Sequence, residues 1–259
     1  MSLDIEWFWA FLTAFVRASG LALMAPVFGS RLVPAPVRVG LSAVIALALA
    51  PSIQPYTGAP PTEWVPLILR VLGEVIIGLV LGYGVSLIIG AAVMAGEVLD
   101  TMMGFNLMQV LNPVSSFPTT LLAQFHYMLA MTLFALVNGH HWLLLALARS
   151  FETGAGLGSL SVWSEGSLTM AMQLGGEVMM LCIQIAAPAG GVLLVVDAAM
   201  AAISRAVPQI PVWLIGMPAK IAVGVAALGA SLPALIGMST RMTELSIQYL
   251  EQLLQLLGV

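Results

Sequence analysis

The chain has 259 residues, 60% of them hydrophobic and 8% charged, with a formal net charge of −4 and a mean hydropathy of +1.05. So little polar side chain cannot clothe a water-soluble globule, and eight Lys plus Arg without a cluster exclude a nucleic-acid surface or a polybasic lipid-binding tail. The composition predicts an all-α, polytopic membrane or membrane-assembled protein, read as one continuous helical unit without a soluble domain.

Six apolar blocks follow in chain order: Trp7–Val27, Val39–Ile53, Val65–Gly96, Thr119–Ala148, Leu168–Val196 and Val212–Met238. About 20 residues cross a bilayer, so every block but Val39–Ile53 can span; that one is expected as a re-entrant or bent piece, or a helix buried in an assembly. Asp4 and Glu6 stand where a signal peptide is basic, and Arg17 interrupts the first apolar run, so this segment is expected to be retained. Gly84, Gly90 and Pro188 lie inside long blocks and predict kinked or broken helices.

Turn-forming residues place connections at Gly29–Pro36, Pro51–Pro61, Asn112–Pro118, Gly154–Gly166 and Pro208–Pro211. If all blocks cross, Arg31, Arg38, Arg205 and Lys220 face one side and Arg70, Arg149 and Arg241 the other, which literally puts both termini outside the cytoplasm. The tail sets Met242, Leu245, Tyr249, Leu253 and Leu256 on one helical face and Glu244, Gln248, Glu251 and Gln255 on the other. Without basic residues on that polar face, docking on a partner protein is expected ahead of lying on lipid.

Gly78, Gly82, Ser86 and Gly90 form a four-residue stripe that lets another backbone approach, and Ala222, Ala226, Ala230 and Ala234 repeat it. Such stripes serve internal packing or a subunit interface. A charge at the bilayer centre costs about 3 kcal/mol, so the ionisable groups within apolar blocks carry information. Glu97, Asp100, Asp197 and Lys220 lie near block ends, where mutual pairing or headgroup water suffices, while Arg17, Glu74 and Glu177 are expected at an interface or cavity. His126, His140 and His141 form no HExxH pair, and no nucleophile turn or phosphate-cradling loop is present, so no enzyme, metal or cofactor is predicted. Cys182, the single cysteine, reads as a buried small apolar residue.

Asn106–Phe117, NLMQVLNPVSSF, combines amides, hydroxyls and bulky apolar groups without a formal charge, after Met102, Met103 and Gly104. An uncharged loop between apolar helices suits a protein-lined cavity, and methionine a deformable surface; an ordinary connection is the plainer alternative.

Three segments together resemble the FliR family of flagellar biosynthesis proteins, which has relatives in virulence type III secretion. They are APVFGSRLVPAPVRVGLS (Ala25–Ser42), AGEVLDTMMGFNLMQVLNPVSS (Ala95–Ser116, with NGHHWLLLALARSF closing the next block) and ISRAVPQIPVWLIGMPAK (Ile203–Lys220). Asn112 replaces an Asp of many relatives, and Pro211 a small polar residue, so no role needing a carboxylate at 112 carries over.

The resemblance implies a non-enzymatic export-gate subunit in the bacterial inner membrane, within the flagellar basal body. It would form with FliP-like and FliQ-like subunits a channel for unfolded flagellar proteins, alongside FlhB and FlhA. Residues 1–150 would then be a FliP-like part, 168–238 a FliQ-like hairpin and 239–259 a docking tail. Met102, Met103, Asn106, Met108, Gln109, Asn112 and Phe117 become pore or plug candidates. Arg17, Glu74, Gly78, Gly82, Ser86, Gly90, Glu177 and Lys220 become interface candidates. An ion- or proton-coupled secondary transporter, built on Glu74 and Glu177, is the competing reading.

Overall fold

A computed structural model describes residues 5–29, 33–105, 121–152, 165–209 and 212–257, and every regular element among them is an α-helix. In chain order these are α1 (Ile5–Met24), α2 (Ala35–Thr57), α3 (Trp64–Met103), α4 (Leu121–Leu136), α5 (Gly139–Arg149), α6 (Glu165–Ala206) and α7 (Val212–Leu257). Among the described residues five helices are long and apolar enough to cross a membrane, or six if α4 and α5 count as one bent span.

The short apolar block at Val39–Ile53 proves to be the middle of a 23-residue helix, long enough to span. Apolarity alone underestimated it. Proline stands in the first helical turn, where its missing N–H costs nothing, and Arg38 donates back to the Val33 carbonyl at 3.0 and 3.1 Å. The helix runs on through Pro51 and Pro55 to Gly58, whose φ of +63° suits a residue without Cβ. The expected connection Pro51–Pro61 is therefore helical as far as Thr57.

Gly84, Gly90 and Pro188 do not break their helices: α3 and α6 run uninterrupted for 40 and 42 residues, and α7 for 46. At 1.5 Å per residue these are about 60–69 Å long, twice the ~30 Å hydrocarbon core. The break falls instead in the fourth apolar block. Asn138 adopts the left-handed conformation (φ 57°, ψ 32°), and α4 and α5 meet at 65° around it. Asparagine tolerates that backbone, and the next residue must be small because the Phe134 ring occupies the space of a Gly139 Cβ.

By packing, the chain divides into two units: Met1–Ile88 with Phe134–Gly175 and Thr243–Val259, and Ile89–Leu133 with Gly176–Met242. α3 and α7 therefore contribute one end to each. In the first unit α1 packs on α2 and α3, and the end of α7 lies on α3 and α5. Tyr249 donates to the Val80 carbonyl at 2.8 Å and its ring covers Gly84. A shallow apolar groove joins Trp142, Leu145 and Ala146 of α5 to Ile247, Leu250 and Leu254. The amphipathic tail thus continues the last span without a break and docks on its own chain. Glu244, Gln248, Glu251 and Gln255 face outward, while the buried face is Ser246, Tyr249, Leu250 and Leu254, turned slightly from the one read in the sequence.

Candidate functional site

In the first unit, α1 and α3 cross through glycine. A Cβ on Gly20 would sit 2.7 Å from the Val75 carbonyl oxygen, one on Gly82 2.8 Å from the Ala25 nitrogen, and one on Gly78 would overlap the Arg17 carbonyl. Ser86 donates across the same seam to the Met24 carbonyl. This close approach brings Arg17 against Glu74 with an N–O distance of 2.5 Å, both side chains being at least 96% buried. The guanidinium also donates to the Ser150 carbonyl at 2.6 Å and hydroxyl at 2.8 Å, and lies 3.8 Å from the centre of the Phe151 ring. Two opposite charges so thoroughly sheltered neutralise one another, and removing either would leave the other uncompensated in an apolar interior.

Arg17, Glu74, Gly78, Gly82 and Ser86, expected at a subunit interface, therefore make these contacts within the chain. Of that group's remaining members, Gly90 has nothing within 4 Å of a notional Cβ and Glu177 is exposed on α6. The isolated intramembrane carboxylate that motivated the transporter reading at position 74 is an ion-paired packing residue.

The second unit holds the roots of the uncharged loop. Residues 106–120 lie outside the described structure, so the candidates Asn106, Met108, Gln109, Asn112 and Phe117 do too. The flanks are described. α3 ends in paired turns, Phe105 N–H to the Asp100 carbonyl at 3.0 Å and Gly104 N–H to the Thr101 carbonyl at 3.2 Å, with Gly104 at φ +85°. That is a Schellman stop, and only glycine takes this backbone without strain. α4 begins against the same helix: the fully buried Asp100 carboxylate accepts Leu122 N–H at 3.0 and 3.2 Å and Ala123 N–H at 3.1 Å. A carboxylate at a helix start satisfies orphan amides and favours the positive end of the helix dipole. Gly96, one turn earlier on the same face, makes room, since its Cβ would lie 2.5 Å from the Ala123 Cα.

Lys220 completes the arrangement, donating to the Met102 carbonyl at 3.4 Å and pairing with Asp197. Met103 is fully buried with its side chain over Gly224, and the Met102 sulfur lies against Gly190. Of the predicted pore residues, these two methionines pack among helices of the second unit. His126 is buried, its Nδ1 2.8 Å from the Leu122 carbonyl, whereas His141 is exposed, and no cluster of metal-ligating side chains occurs among the described residues.

Sequence reading passed over Asp100 and Gly96 as block-end residues. The signal was present in AGEVLD: a glycine and an aspartate four residues apart share a helix face, just before an uncharged loop. Ser150 and Phe151, which complete the Arg17 site, carry no such signal.

A model of bacterial export proteins, family 1, matches residues 8–246. Bacillus subtilis (strain 168) flagellar biosynthetic protein FliR is 30% identical over 262 residues, covering 100% of both chains. The Escherichia coli (strain K12) protein of that name is 29% identical over 88% of this chain and 86% of its own. The secretion system apparatus protein SsaT of Salmonella typhimurium is 26% identical over 83% of each. With apolar helices of membrane-spanning length and a match that runs nearly end to end, this chain belongs to family 1 of the bacterial export proteins, the family of FliR.

Proposed function

We propose that this chain is a structural, non-enzymatic subunit of the flagellar type III export gate in the bacterial inner membrane, within the basal body. It assembles with FliP-like and FliQ-like subunits, and with FlhB and FlhA nearby, around a channel that passes unfolded flagellar proteins. The full-length kinship to proteins named for flagellar biosynthesis and secretion supports the reading. In this reading 1–150 corresponds to a FliP-like part, 168–238 to a FliQ-like hairpin and 239–259 to a tail that returns to its own chain.

One observation supports the channel role: a 15-residue uncharged segment, 106–120, follows a helix whose buried Asp100 carboxylate caps the helix after it. A segment rich in amides, with Met108, Phe117 and leucines and no charge, is suited by composition to plug a pore. Helices about twice as long as the hydrocarbon core is thick fit a subunit that lies partly above the membrane plane inside an assembly.

Co-expression with the FliP-like and FliQ-like subunits, followed by native mass spectrometry, should give a defined hetero-oligomer containing this chain. A monomer or homodimer that ignores them would sink the gate reading. Replacing 106–117 with a Gly-Ser connector should leave the oligomer's mass intact apart from the exchange and raise its ion conductance.

A further inference from the structure

The start of α1, the end of α2 and the start of α3 meet around Arg70. Its guanidinium donates to the carbonyl of Thr57, the last residue of α2, at 2.6 Å, and its Cζ lies 5.9 Å from the centre of the Trp9 ring. A cation suits a helix C-terminus, yet most of this group's hydrogen-bonding capacity is unused. Among the described residues Arg70 makes that one hydrogen bond and no ion pair, and its Nε–H is sealed from solvent without an acceptor. The indole N–H of Trp9, a residue only 4% exposed, is likewise sealed and unpaired. Buried donors without acceptors are destabilising. Charge is unbalanced too. Glu74 stands one helical turn from Arg70, but its carboxylate is committed to Arg17, so two arginines share one anion, while Glu6 and Glu63 are exposed and pair with neither.

The surroundings are those of a bilayer surface. Tyr56 and Trp64 flank the connection between α2 and α3 and are 47% and 79% exposed, and amphipathic rings of this kind settle at headgroup level. Arg70 follows Trp64 by six residues, about 9 Å along the helix. Its side chain runs back to Thr57, which returns the charge to the level of the helix ends. Beside it Val65, Ile68, Leu69 and Leu72 make an exposed apolar strip on α3 at three- and four-residue steps.

We infer that Arg70, with Trp9 beside it, is a binding site for the phosphate of an anionic membrane phospholipid whose acyl chains lie along the strip from Val65 to Leu72. A phosphate diester brings a negative charge and more than one acceptor oxygen to a planar guanidinium fork, and the apolar tail covers a surface that a free ion would leave bare. The sealed donors touch no water-sized space, so an oxygen reaches them as the Arg70 side chain, half-buried and held by one hydrogen bond, shifts outward. A bound headgroup pins the α2–α3 connection to the membrane surface and sets the depth of the first unit. The inference requires that α1–α3 lie in a bilayer and takes nothing from the export-gate reading.

The detergent-purified full chain, titrated with dioleoyl phosphatidylglycerol and followed by native mass spectrometry, tests this. Wild type should retain a single phosphatidylglycerol, bind phosphatidylcholine of the same chains more weakly, and ignore inorganic phosphate at matched concentration. Arg70→Met, which keeps an apolar stem and removes the charge, should lower phosphatidylglycerol affinity about tenfold, as expected for loss of a charge-assisted hydrogen bond. Trp9→Phe should lower it severalfold, whereas Arg38→Met, at the opposite end of α2 and also half-buried, should leave it unchanged. Unaltered affinity in Arg70→Met would overturn the site, and so would an equal loss in Arg38→Met, the mark of a general attraction between cations and anionic lipid. Inorganic phosphate binding as tightly as the phospholipid would overturn the lipid as occupant. Hetero-oligomer lost in Arg70→Met with lipid affinity intact would give the cation to a carboxylate of a neighbouring subunit and overturn it as well. If Arg70→Met fails to fold, Arg70→Lys, which keeps the charge without the fork, and Trp9→Phe decide by the same comparison.

Discussion

The seam between α1 and α3 and the exposed flank of α6 are both apolar in sequence and opposite in finish. At the seam, glycines bring backbones together, Arg17 finds Glu74, and both charges are sealed. On α6, Ile183, Leu194 and Val195 are 61–70% exposed, Glu177 is exposed among them, and Gly191 has open space where its Cβ would be. A membrane helix can expose apolar residues to lipid without penalty, yet glycines and a carboxylate gain nothing from lipid. In the export-gate reading, the contrast separates what the chain completes alone from what it would leave for neighbouring subunits.

Breaking the sealed region should have the largest effect. Glu74→Ala removes the carboxylate that balances the buried Arg17 charge and should destabilise the detergent-purified chain by about 3–5 kcal/mol, read by denaturant or thermal unfolding. The paired change Arg17→Met with Glu74→Leu should recover most of that loss. A double variant no better than Glu74→Ala would show that the ion pair is not what makes the site matter.

Next comes the stripe that spans both kinds of surface. Gly78→Ala drives a methyl into the Arg17 carbonyl and should cost about 1–3 kcal/mol as overpacking. A smaller loss is expected where the tail docks: Tyr249→Phe removes the donor to the Val80 carbonyl and should cost about 0.5–1.5 kcal/mol, measured on the same unfolding curves.

Gly90→Leu should change the isolated chain least, by about 1 kcal/mol or less and in the stabilising direction, because a non-glycine residue favours the helix and nothing lies within 4 Å of a Cβ there. Its signature should appear only on assembly, as a loss of hetero-oligomer in native mass spectra. Unaltered assembly would remove Gly90 from the interface candidates and leave that end of the stripe to lipid.

Much of the architecture was legible because lipid imposes a simple rule: backbone groups must pair within helices, so apolar run length maps to helix position. The rule failed where other forces set the boundary. Charged Arg38 and the polar stretch to Thr57 belong to α2, since proline at its start and glycine at its end delimit the helix better than apolarity does. The break at Asn138 depends on Phe134 packing over Gly139, a contact that periodicity does not encode. Glycine stripes were visible as close-approach surfaces, but whether the approaching backbone is the chain's own or a neighbour's is a tertiary fact. Asp100 was visible as a block-end acid, whereas its partners lie 22 and 23 residues away across the loop.

The sealed seam also sets a timetable. Arg17 precedes Glu74 by 57 residues and Ser150 by 133, so at ~5–20 residues per second about 3–11 s pass between the synthesis of the arginine and that of its carboxylate. Ser150, which also accepts from it, follows only after about 7–27 s. Until Glu74 emerges, α1 holds a charge that hydrocarbon disfavours by about 3 kcal/mol, and its firm entry into the bilayer is tied to the synthesis of α3. In the export-gate reading, placing α1 in the bilayer would thereby depend on a partner two helices further along the chain.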